Sequence, residues 1–166
     1  PAGPDRRTWR IQMKKILWIA IVLAVVAVSS SAFAGDHEYV GAAKCKMCHK
    51  VQYASWEGTK HAKATDAAKA GTDREWSADC AKCHATNASE DFAGVQCEAC
   101  HGAGADFKKM SIMKDREAAV SNGLVIPTQA TCDSCHTGDD HATKKVLADE
   151  LNNKEAIHEF KNPPGE

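Results

Sequence analysis

Every cysteine in this chain belongs to one of four copies of the pattern Cys-x-x-Cys-His. The copies are Cys45, Cys48 and His49; Cys80, Cys83 and His84; Cys97, Cys100 and His101; and Cys132, Cys135 and His136. Two thiols one helical turn apart can reach both vinyl groups of one haem, and the adjacent imidazole then sits under the iron. The pattern therefore predicts four covalently attached haem c groups, each with its own proximal histidine. Structural zinc and a disulfide framework also use paired cysteines, but neither requires a histidine directly after the second cysteine four times over.

Iron has six coordination positions, four of which the porphyrin fills, so four haems need eight axial ligands. The chain has eight histidines, and four lie outside the motifs: His37, His61, His141 and His158. The count predicts that all eight ligate iron. Full bis-histidine ligation leaves no open iron for a substrate, which favours electron transfer over catalysis. Met110 and Met113 are alternative ligands that would raise a haem's potential, and they are read here as packing residues.

Residues 13–34 read as a secretory signal: Met13-Lys14-Lys15, an apolar run from Ile16 to Val28, and a small-x-small site at Ala32-Phe33-Ala34. The apolar run of thirteen residues is shorter than the roughly 20 needed for a membrane span. Contact with a membrane is thus expected only if this segment stays uncleaved. Residues 1–12 precede Met13 and are read as translated upstream sequence. Arg6-Arg7 offers a twin-arginine route, but haem attachment needs an open chain, which fits export in the unfolded state better. The expected location is the periplasm, with release outside the cell as the variant.

The remaining 132 residues, 35–166, are expected to form one tetrahaem cytochrome c domain with 33 residues per haem. Only fifteen of them are Ile, Leu, Val or Phe, about 11%, too few for an ordinary core. The porphyrins must serve as the core, and the chain without haem is expected to be unfolded. Charge excludes another class: 16 basic residues against 21 acidic from Gly35 onward offer nucleic acid no basic surface.

The sequence predicts a mainly helical fold with extensive loops and little or no sheet. Helices are expected over 51–70, stopped by Gly71; from Thr72 or Asp73 into the second motif; over 110–122, closed by Gly123; over 128–136; and over 142–151. Residues 162–165 read as a frayed tail. Only 12 residues separate the second motif from the third, against 30 in each of the other two intervals, which predicts that the middle two haems are neighbours. Gly94, Gly102 and Gly104 suit either close approach to a porphyrin face or ordinary turns.

The stretch Tyr39-Val40-Gly41-Ala42-Ala43-Lys44-Cys45, continuing through Trp56 and Lys60-His61-Ala62, resembles the opening of the cytochrome c-554 family. Residues 94–104, Gly-Val-Gln-Cys-Glu-Ala-Cys-His-Gly-Ala-Gly, resemble its third-haem signature, and Ile157-His158 resembles its late ligand histidine. The resemblance covers most of residues 39–160. It implies closely stacked haems and a role passing electrons in a respiratory chain, and it leaves open whether one haem is five-coordinate.

Three functional classes follow. A soluble relay, expected to be monomeric, would take electrons from a membrane quinol oxidase or a periplasmic oxidoreductase and hand them to another redox protein. A haem enzyme acting on nitric oxide or hydroxylamine would need an open iron. A conducting filament would share ligands between copies, and His37 is placed for that. The relay is the reading preferred from the sequence.

Overall fold

Loops, rather than a packed apolar interior, connect the helices of this chain. The computed structural model describes residues 37–139, 141–151 and 153–160, all within the unit His37–Glu166. The signal segment, its cleavage site, residues 1–12 and the tail at 162–165 lie outside the described residues. Among the described residues, no helix is long and apolar enough to cross a membrane.

The helices are α1 (Ala42–Lys46), α2 (Lys50–Glu57), α3 (Ala64–Ala70), α4 (Ala78–His84), α5 (Cys97–His101), α6 (Met110–Met113), α7 (Arg116–Ser121), α8 (Gln129–Asp133) and α9 (Leu147–Glu150), with a 3-10 turn at Glu90–Phe92. Residue Ala85 makes isolated bridges to Ala93 and Gly94, and no strand forms among the described residues. The mainly helical, loop-rich class is as the sequence predicts.

Several expected helices are shorter or divided. The single helix expected over 51–70 is two, because Gly58 ends α2 and Thr59 turns back on it, its hydroxyl donating to the Trp56 carbonyl at 2.7 Å. The turn that follows carries His61. The helix expected over 110–122 also divides, because Asp115 starts a new one: its carboxylate accepts the Glu117 and Ala118 N–H groups at 2.9 and 3.1 Å, an N-cap at the head of α7. Ser77, rather than Thr72 or Asp73, precedes the second-motif helix. The last helix covers only Leu147–Glu150. Gly71 and Gly123 stop their helices as expected, Gly123 with φ at +97°.

The buried apolar residues are small or few: Ala42, Ala85, Phe107 and Ala119. No large side chain is fully buried among the described residues, while Met47, Val51, Met110, Val120, Val125, Ile126 and Val146 are exposed. A protein interior is normally close-packed by its own side chains. Polar anchors hold this chain instead. Glu98, 3% exposed, accepts the backbone N–H of Val40 at 3.0 Å, Gly41 at 2.8 Å and Gly104 at 2.6 Å. It thereby ties the approach to the first motif onto the third. Thr65 does the same between other parts: its hydroxyl donates to the His84 carbonyl at 2.5 Å and accepts the Gly94 N–H at 2.6 Å.

Candidate haem-binding site

Short helices or turns carry all four motifs, with the second histidine-side cysteine one turn beyond the first. In the first, the Cys48 and His49 N–H groups both bond the Cys45 carbonyl, at 3.1 and 2.9 Å. The fourth repeats this, with Cys135 and His136 bonding the Cys132 carbonyl at 3.2 and 2.8 Å. Its helix α8 is held by Gln129, whose amide donates to the Lys145 carbonyl at 2.8 Å and accepts the Leu147 N–H at 2.8 Å. That clasp fixes the stretch after the motif against it.

Three motif histidines each face a histidine from outside the motifs. Ring centroids lie 6.1 Å apart for His61 and His136, 5.8 Å for His84 and His141, and 6.3 Å for His101 and His158. Two imidazoles bound on opposite sides of one metal at about 2 Å place their centroids roughly 6 Å apart. The three separations therefore fit a metal between each pair. The sequence count could not say which outside histidine serves which motif; the folded chain brings together these three pairs. Among the described residues no ring faces His49 in this way, and His37 has its Nδ1 2.6 Å from the Asp106 carboxylate.

The backbone orients these rings. Nδ1 of His101, His136 and His158 meets the carbonyls of Val125 at 3.3 Å, Thr143 at 2.9 Å and Glu159 at 2.9 Å. An Nδ1–H committed to a carbonyl leaves Nε2 as the free lone pair, which is the tautomer a metal ligand needs. Burial, with the facing His136, lowers the His61 pKa, and burial likewise lowers that of His101, so both rings favour the neutral form that binds metal.

The sulfur atoms give the order of the attachment points. Cys45 lies against Cys97, and that contact together with burial pushes the Cys45 thiol far above its ordinary value. Burial and the neighbouring Cys135 push Cys83 up to about 11, and burial with nearby Cys132 and Cys135 pushes Cys100 up to about 11. These values belong to free thiols, which become thioethers once haem is attached. Their positions run first, third, fourth, second. The short interval between the second and third motifs predicts that their haems are neighbours. The 12-residue link makes an excursion through the 3-10 turn and returns at Ala93 and Gly94, and the thiols nearest to Cys83 and Cys100 come from the fourth motif.

Two supports were not legible as such. Glu98 occupies a variable position within the third motif, and nothing in the spacing marks it as an anchor. The glycines serve backbone approach: a Cβ on Gly94 would strike the Ala62 carbonyl, and one on Gly102 would lie 2.7 Å from the Gly123 oxygen. Both have positive φ, +75° and +80°.

The described geometry fits covalent haem, and comparison with known proteins agrees. The family described as cytochrome c554 and c-prime matches residues 44–102. Cytochrome c-554 of Nitrosomonas europaea is 26% identical over 162 residues, spanning 75% of this chain and 69% of the relative. The chain is thus similar to the cytochrome c-554 family, with the family match spanning its first three motifs. A solved structure of reduced cytochrome c554 from Nitrosomonas europaea shares the fold, with a TM-score of 0.59 at 22% identity, covering 76% of this chain and 87% of that one. This similarity supports a c-type cytochrome with covalent haem c that takes part in electron transfer with redox partners.

Proposed function

We propose that this cytochrome is a periplasmic tetrahaem relay, monomeric, that accepts electrons from a membrane quinol oxidase or a periplasmic oxidoreductase and passes them on within a respiratory chain. The observation that carries the reading is the set of three facing histidine pairs at 5.8–6.3 Å, which leaves those three sites closed to substrate. Each bound haem supplies a one-electron iron(III)/iron(II) couple. The eight motif cysteines would hold the four haems covalently. His49, His84, His101 and His136 would be the proximal ligands, opposed by His141 at His84, His158 at His101 and His61 at His136. The chain's own task is to keep these rings in fixed orientation through their Nδ1 bonds, so that little reorganises when charge moves, and to space the attachment points in the order first, third, fourth, second. In that order the first and second motifs are the two ends, where partners would exchange electrons.

A second reading has one observation in its favour: no ring faces His49 among the described residues. An open iron there would suit an enzyme acting on nitric oxide or hydroxylamine. The resting spin state of the holoprotein separates the two. A relay is expected to be low-spin throughout with little turnover of either compound. A high-spin haem with rapid turnover would contradict it, and a low-spin signal lost on dilution would favour ligands shared between copies in a filament.

A further inference from the structure

His37 is fixed in place. The Ala105 N–H donates to the Glu38 carbonyl at 3.1 Å, and Glu98 holds Val40 and Gly41, so the segment is strapped along the third motif. The His37 ring lies over Gly123, where a Cβ would come within 2.9 Å of both Cδ2 and Nε2 and 3.2 Å of Cε1. Those near-equal distances mean that Gly123 backs the ring face, leaving the edge that carries Nε2 directed elsewhere. Nδ1 is taken by Asp106 at 2.6 Å. The first motif shares this neighbourhood, because Glu98 of the third motif holds Val40 and Gly41 directly before α1, which carries Cys45. His37 and His49 are the two histidines left outside the three facing pairs.

We propose that Asp106 is a positioning residue for the first-motif haem: its carboxylate holds His37 so that Nε2 becomes the sixth ligand opposite His49, and depresses the reduction potential of that haem. The inference rests on the tetrahaem relay reading. Its physical basis is a contrast. His101, His136 and His158 give Nδ1–H to neutral carbonyls, whereas His37 gives it to a carboxylate. A carboxylate partner makes the imidazole a stronger donor and stabilises iron(III). The bond is partly exposed, so its effect falls on ligand basicity and orientation more than on stability.

The test uses the intact holoprotein and its Asp106→Asn, Asp106→Glu and His37→Ala variants, compared by haem mass, spin state and potentiometric titration. In Asp106→Asn, one haem of four should shift to higher potential while all four stay bound, and Asp106→Glu should restore most of the shift. In His37→Ala, that same haem should become high-spin and bind carbon monoxide, which also reports the role if Asp106→Asn folds poorly. Unchanged potentials in Asp106→Asn would overturn the role of Asp106. An unchanged low-spin spectrum in His37→Ala would overturn the ligation, and so would a wild-type signal that turns high-spin on dilution. A wild-type mass with fewer than four haems would remove the tetrahaem reading itself, and the proposal with it.

Discussion

His61 and His136 face one another across 6.1 Å between ring centroids, although one follows the first motif and the other closes the fourth. The approach depends on a small set of backbone contacts around His61. Its carbonyl accepts the Val95 N–H at 2.8 Å, and the Trp56 indole donates to the Val95 carbonyl at 2.8 Å. The turn that carries His61 is thus held by the segment leading into the third motif.

Replacing His61 with Ala should leave the fourth-motif haem without its outside ligand. One haem of four is expected to become high-spin and to bind carbon monoxide, read from the optical difference spectrum. A spectrum identical to that of the unaltered protein would remove His61 from the ligand set.

Glu98→Ala should be strongly destabilising. The substitution strands the Val40, Gly41 and Gly104 N–H groups. The buried Gly104 donor left unpaired costs about 1–3 kcal/mol and the half-buried Val40 and Gly41 donors less, so a total loss of about 2 kcal/mol or more is expected. Denaturant unfolding of the holoprotein measures it, and a change under about 1 kcal/mol would show that water replaces the carboxylate.

At Gly94, two penalties coincide: φ of +75° and the Ala62 carbonyl in the path of a Cβ. Gly94→Ala is expected to cost about 2 kcal/mol or more, because a non-glycine residue held in such a conformation already costs of order 1–3 kcal/mol. Since Ala62 adjoins His61, the variant should also disturb the spectrum of the haem that His61 serves. Thermal unfolding and the low-spin optical bands provide the two readouts.

Local chemistry was largely legible before folding was considered. The motif helices, the stops at Gly71 and Gly123 and the lack of a large apolar core all follow from residue type and spacing. The pairings of His61, His141 and His158 were not, because they depend on the path of loops whose anchors are single polar side chains. Glu98 and Thr65 have no periodic signature, and each works only by meeting backbone far away in sequence. The divided helices have the same origin: Thr59 and Asp115 offer the backbone a competing local hydrogen bond inside a stretch whose composition otherwise suits a helix.

The central claim is that four haems, attached at four complete motifs, take the place of a core. Intact mass of the mature holoprotein, produced with a full haem-attachment system and denatured to release anything not covalently bound, tests it most directly. The account predicts a single species carrying four haems. A protein that folds cooperatively with three or fewer would contradict it.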